Sequence, residues 1–545
     1  MTPMALALEC GGVSAAGPMD QSTSYGRCGV NGMPPRRRLL LAAHAKRRQA
    51  CRLVGEEFWF SRFDSIPFEN LGPQSISYNA SVSRLFGIDY RALKIFRVGL
   101  ALLVLGDLFA RSMDLDAFYT DAGVLPRALL RIPRFRFSAH AMTGGRGGEE
   151  IMFLLAAAFA LLLLIGIWPR LAAVASWLFM ASLDARNPLV LNHGDELLKI
   201  FLFWSIFVPL SSDSRLSPDG TGRRHLSIFS VALTIQVCIV YFFGALLKTD
   251  PSWRVSGTAI YAALGLEQLS TGLGRSLLDW PRLLRIATLC VYYLELLGPL
   301  LLFVPWENRR IREAAIVAFV AVHLGIAATM NLGLFPWVSI LGWVLILPSE
   351  TLDSLQRVMK WEPAARTPMA VEAPKVSALQ RIATLVLGVY LLLAVLVWNV
   401  RTLDLKTEEV NPGPFDCVLL MAQLDQRWNM FAPKPNYISG WFVAPADLAD
   451  GSQVDLLKAG QPYSLKRPDV VAATFPNSRW RKYLINLSLP RFERYRQALS
   501  PFLRGRWDRA HPENLKIERL TVYFVWQHLA RDGVSPVRTT VISTD

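Results

Sequence analysis

Charge is scarce in this chain. Asp, Glu, Lys and Arg make up 19% of 545 residues, where a soluble domain carries about a quarter. With 52% hydrophobic residues, so little charge excludes a disordered or fibrous polypeptide. Cysteine is scarcer still: six residues, at 10, 28, 51, 238, 290 and 417, with no CxxC and no Cys/His pairing at zinc spacing. That excludes a disulfide framework and indicates no metal site. Cys238 and Cys290 fall inside apolar runs and read as small core residues. A nucleotide-binding glycine loop is missing too, because Gly144 to Gly148 (GGRGG) follows no strand and reads as a plain loop. Nothing indicates haem or flavin.

What is present is long apolar sequence. Ile151 to Trp168 passes without one charged side chain, which makes this a membrane protein. The excess of 58 Lys and Arg over 43 Asp and Glu then reads as cytoplasmic-loop charge, and no nucleic-acid partner is expected. Residues 1–84 form a basic, disordered N-terminal extension with a cluster from Arg36 to Arg52. Residues 85–400 form a membrane domain with about nine transmembrane helices, near 91–111, 149–168, 171–188, 195–211, 226–247, 281–304, 313–331, 333–349 and 377–399. Each is near the roughly 20 residues needed to cross a bilayer.

With the N-terminus cytoplasmic, four short connections on that side hold Arg170, then Arg215, Arg223 and Arg224, then Arg309, Arg310 and Arg312, then Arg357, Lys360, Arg366 and Lys375. An odd number of spans places residues 401–545 outside the cytoplasm, as an α+β soluble domain on a multi-pass protein of the cell (inner) membrane. In that domain a hairpin is expected around Ala449-Asp450-Gly451-Ser452, a strand over Leu520 to Leu529, and Arg-rich helical sequence over 479–507.

Polar groups within or beside the spans carry the functional signal, because each costs several kcal/mol in hydrocarbon unless it is paired or faces a cavity. Arg186, Asn187, Asn192, His193, Asp195 and Glu196 crowd one turn, where Asn192 or Asp195 can also cap the next helix. Lys248 ends an apolar helix, with Asp250 and Trp253 following. It reads either as an interfacial anchor or as a lysine turned into a dry pocket, where it can serve as a neutral base. Glu295 and His323 lie in mid-span, each a functional candidate or a helix-to-helix hydrogen bond. Gln236 is a weaker candidate of the same kind.

FRVGLALLVLGDLF with FYTDAGVLPR, ARNPLVLNHGDELLKIFLFW, QVCIVYFFGALLKTDPSW and RWNMFAPKP, in this order, resemble the horizontally transferred transmembrane domain family, bacterial relatives of vitamin K-dependent gamma-carboxylase. The resemblance covers about 85–350 and continues at RWNMFAP. It implies an integral membrane enzyme that uses a reduced quinone, dioxygen and carbon dioxide to carboxylate glutamate, or a related quinone epoxidation. The cofactor implied is reduced vitamin K or a menaquinone-like quinone. The family's lysine falls at Lys248, the proton acceptor, and its histidine after the third span falls at His193, giving Lys248 and His193 as catalytic residues. Asp195, Glu295, His323 and Trp253 become candidate quinone-binding or supporting residues. The expected partners are the lipid bilayer and a peptide or protein substrate on the extracytoplasmic side. The rival reading is a non-catalytic membrane protein for peptide maturation, secretion or immunity, with Lys248 only an anchor.

Overall fold

The computed structural model describes residues 82–210, 223–304, 308–360, 377–404, 412–458, 460–530 and 533–545, all within one compact unit from Ser61 to Asp545. Of the N-terminal extension expected over 1–84, all but residues 82–84 lies outside the described residues, as do Arg215, Arg366 and Lys375.

A helix stands at each of the nine expected positions: α1 (Tyr90–Ser112), α2 (Arg146–Ile165), α3 (Pro169–Arg186), α4 (His193–Ser205), α5 (Ile228–Leu247), α6 (Pro281–Leu301), α7 (Asn308–Thr329), α8 (Phe335–Leu345) and, after the short α9 (Ser349–Val358), α10 (Ala378–Arg401). Nine spans do not follow. Among the described residues only α2, α5, α6, α7 and α10 are long and apolar enough to cross a membrane, and α8 with α9, bent by 104°, adds a sixth if the pair is one span. The shortfall has physical causes. α1 carries Arg91, Lys94, Arg97, Asp107 and Arg111, and α3 carries Arg170, Asp184 and Arg186. α4 has 13 residues, a length of roughly 20 Å, and α8 has 11. With five apolar spans the chain is an integral membrane protein.

Local sequence sets the helix ends. Ser227 caps α5 by accepting the Ser230 N–H at 3.2 Å, and Pro169 opens α3. α2 stops at Gly166, whose φ of +76° suits a residue without Cβ, all the more because a Cβ there would run into the Arg97 guanidinium. The GGRGG stretch is not wholly a loop: Gly147 and Gly148 lie in the first turn of α2, whose continuing apolar sequence propagates the helix through them. α5 is the central helix, with 78% of its apolar stretch buried against 28% in α2, α6 and α7. Cys238 on α5 is buried as expected, whereas Cys290 on the peripheral α6 is exposed and is no core residue.

Contacts sort the helix ends into two sets. At one end Arg91 and Arg223 meet Asp353 at 2.6 and 3.1 Å, Arg224 meets Glu350 at 3.2 Å, and β1 (Ile88–Asp89) pairs with β2 (Arg224–His225). The C-terminal region covers the other end. It bonds to Asp114 and Leu129 before α2, to Val190 between α3 and α4, to Glu267 between α5 and α6, and to Asn331 between α7 and α8. Those are the connections that the loop charges assign to the outer face.

The C-terminal region is built on a small antiparallel sheet: β3 (Ile438–Val443), β4 (Pro445–Leu448), β5 (Gln453–Asp455), β6 (Ile517–Ala530), β7 (Gly533–Val534) and β8 (Arg538–Thr544). The order is β3-β6-β4-β5, with β7 and β8 also on β6. The expected hairpin is β4–β5, turned at Gly451 with φ +81°, and the expected strand is the long central β6. The Arg-rich sequence forms α11 (Ser478–Ser488) and α12 (Leu499–Ala510), separated where Pro490 begins a 3-10 stretch.

Candidate functional site

The apolar run of α5 ends at Lys248, where Asp250 starts a new short helix by accepting the Ser252 N–H at 2.9 Å. The Lys248 side chain turns into the bundle rather than out to the interface and is 5% exposed. Its amine forms an ion pair with Glu295 of α6 and stands 4.6 Å from the centre of the Trp253 ring, a cation–π distance. Trp253 is itself held, its indole N–H donating to the Phe431 carbonyl at 3.1 Å, while the Asp250 N–H donates to the Pro433 carbonyl at 3.3 Å. Two motifs some 180 residues apart, LLKTDPSW and RWNMFAPKP, are therefore one structure. Phe431 has φ +54°, the strained left-handed region that a non-glycine residue occupies where its surroundings dictate it.

A second polar pair lies nearby. Tyr241 of α5 and His323 of α7 meet at 2.7 Å between the Tyr hydroxyl and imidazole Nε2. His323 is 2% exposed, and its Nδ1 is buried with no hydrogen-bond partner. Both pairs line one cavity of about 270 Å³, together with Trp253, Trp428, Met430, Phe431 and aliphatic side chains of α5, α6 and α7. The volume lies just under the usual range for small-molecule pockets, about 300–1,000 Å³, and the lining has their character: mostly apolar, with a few convergent polar groups.

Four of the six residues singled out in the sequence thus come together: Lys248, Trp253, Glu295 and His323. His193 and Asp195 do not line the cavity. His193 Nε2 donates to Asn429 Oδ1 at 3.2 Å and its ring lies 6.2 Å from that of Trp428, so it touches the cavity wall from outside. Burial, with the nearby Lys482 charge adding to it, pushes the His193 imidazole down to about 4. Asp195 is turned elsewhere by stronger partners. Its carboxylate takes the Asn192 N–H at 2.7 Å, the capping role foreseen for this turn, and pairs with Arg111 at 2.9 Å and Arg479 at 2.8 Å. Asp107, Asp184 and Lys199 complete that buried cluster of three carboxylates and three cations. Such a cluster is tolerated only because every charge in it is opposed.

Tyr241 and Trp428 were not foreseen. Tyr241 was legible in principle, since Tyr241, Gly244 and Lys248 fall at i, i+3 and i+7, on one face of a helix. Trp428 had no such spacing signal, because its helix-free segment enters the bundle only through tertiary contacts, although it belongs to the RWNMFAPKP motif that the family resemblance had singled out. Gln236 anchors that segment: it exchanges side-chain hydrogen bonds with Gln426 at 2.7 and 3.1 Å, and Gln426 accepts the Trp428 indole N–H at 2.7 Å.

No curated protein and no solved structure matches the chain. The family model of the HTTM domain matches residues 87–350, a stretch that holds α1 to α8 and all six sequence-selected residues but stops short of the RWNMFAP segment. Over that stretch the chain is similar to an HTTM domain, in agreement with the resemblance read from its motifs.

Proposed function

We propose that this protein is a membrane enzyme related to vitamin K-dependent gamma-carboxylase, with a reduced naphthoquinone or similar lipid quinone in the Lys248 cavity. The observation that carries this reading is a largely apolar cavity whose polar lining includes the Lys248–Glu295 pair and the Tyr241–His323 pair. The lining fits a flat apolar ring bearing oxygens: the Lys248–Glu295 and Tyr241–His323 pairs are polar groups within it, and Trp253 and Phe431 offer aromatic surface. A bound reduced quinone supplies electrons and an acidic hydroxyl for chemistry with dioxygen.

The chain's own groups hold and move a proton. With the shared proton on Glu295 the Lys248 amine is free to accept one from a bound hydroxyl, and with the proton on Lys248 the carboxylate accepts it. The pair therefore takes up one proton in either form, and Trp253 faces the resulting ammonium. Trp428, Met430 and Phe431 line the same cavity as the pair. On the family resemblance the product base serves to carboxylate a glutamate of an extracytoplasmic peptide, with the C-terminal domain on that side of the membrane.

The test is epoxide formation from reduced menaquinone or vitamin K under air, in reconstituted protein, with and without a glutamate peptide. Lys248→Ala is expected to lower it at least about 100-fold, the lower range for loss of a general base. Equal rates in the variant and the native chain sink the assignment of the base. A wild type that neither binds nor turns over quinone leaves the non-catalytic maturation or immunity reading in its place.

A further inference from the structure

The connection before α2 contains a feature that the cavity does not use. Between Pro126 and Phe137 the chain places Arg127, Arg131, Arg134 and Arg136 among Leu129, Leu130, Ile132, Phe135 and Phe137. Two of the arginines are committed, Arg127 to Asp121 at 2.7 Å and Arg136 to Asp425. Arg131 and Arg134 are exposed and have no ion-pair partner among the described residues, the Arg134 guanidinium lying 5.0 Å from the ring of its neighbour Phe135. Phe135 is held at φ +69° with 40% of its surface exposed, and Ile132 and Phe137 are exposed to 37% and 38%. A strained backbone that turns an aromatic ring outward beside free cations needs a reason.

Depth supplies one. Phe137 contacts Trp177 with ring centres 6.5 Å apart, and Trp177 lies nine residues before the Arg186 end of α3, roughly 13 Å along the helix axis. The loop does not stand off the membrane body. Its end lies against α3, where the Ser138 hydroxyl also donates to the Ser182 carbonyl at 2.7 Å. Cations set among exposed apolar side chains beside the membrane body are costly unless an anion meets them there.

We propose that Arg131 and Arg134 bind the phosphate of an anionic phospholipid, in the leaflet on the side of the C-terminal domain, whose acyl chains lie along Ile132, Phe135 and Phe137. The juxtaposition of exposed apolar groups with the two cations favours this ligand over an acidic peptide, which would leave the apolar surface uncovered.

The experiment titrates the full-length protein, in neutral detergent, with phosphatidylglycerol and follows its tryptophan fluorescence and thermal midpoint. Native protein is expected to saturate with phosphatidylglycerol and not with phosphatidylcholine, inorganic phosphate or polyglutamate. R131Q/R134Q is expected to need roughly thirtyfold more lipid, at about tenfold or less per cation, while R131K/R134K stays close to native. Equal titration of the native protein and the glutamine variant overturns the proposal, as does saturation by inorganic phosphate or by polyglutamate at the same site. Should the glutamine variant fail to fold, the comparison of the two lipids on native protein decides: an equal response to both overturns it.

Discussion

Lys248 at the end of α5 and Glu295 in the body of α6 form one ion pair although 47 residues of chain separate them. Neither group enters the apolar cavity alone, and each is the reason the other is tolerated there. Glu295→Gln is therefore expected to destabilise the protein by about 3 kcal/mol, because it strands the Lys248 charge, whereas Lys248→Met combined with Glu295→Leu regains most of the loss. Thermal unfolding of the single and double variants in detergent checks this. Additive losses in the double variant would show that the two groups do not act as a pair.

His193 gives the protein a pH response. Its imidazole sits at about 4 in the folded chain against an ordinary 6.5, so the unfolded chain binds more protons between those values. The contribution of His193 is complete above pH 6.5 and is lost as pH falls toward 4. Chemical unfolding at several pH values is expected to show native stability dropping across that window more steeply than in His193→Gln. Parallel curves would mean that His193 is not held neutral.

Arg479 of α11 opposes Asp107 and Asp195 within the buried cluster. Arg479→Ala is expected to cost about 3–5 kcal/mol and to loosen the C-terminal region from the bundle, whereas Asp455→Asn, at a carboxylate within the sheet region, should leave that docking intact. Limited proteolysis with mass analysis reads the release directly.

Reporter fusions after Lys360 and after Asp545 test the side of each end. Loop charge predicts that the first is cytoplasmic and the second is not. Both reporters active on one side would mean that the chain crosses an even number of times between them.

Helix positions were legible because nine apolar runs are bounded by charge, Pro and Gly, as at Gly166 and Pro169. Their capacity to span was not, because an apolar run shows neither that the charges of α1 and α3, among them Asp107, Arg111 and Asp184, belong to a buried network nor that α4 and α8 stop after 13 and 11 residues. In the cavity, Lys248, Trp253, Glu295 and His323 stood out as polar or aromatic groups at unusual places in apolar sequence. Asp195 stood out for the same reason, but composition cannot tell a charge that faces a cavity from one consumed by Arg111 and Arg479. The pairing of Gln236 with Gln426, 190 residues away, has no local trace at all.

The charge cluster also orders events during synthesis. Asp107, Asp184 and Asp195 emerge from the ribosome with only Arg111 and Lys199 to meet them, and the cation that balances the set, Arg479, is made after every apolar span is complete. Until that residue arrives this end of the membrane body holds one negative charge too many. A nascent chain cut short before α11 is thus marked as unfinished by its own electrostatics, and the C-terminal region serves as the closing step of assembly as well as a cover over one end of the bundle.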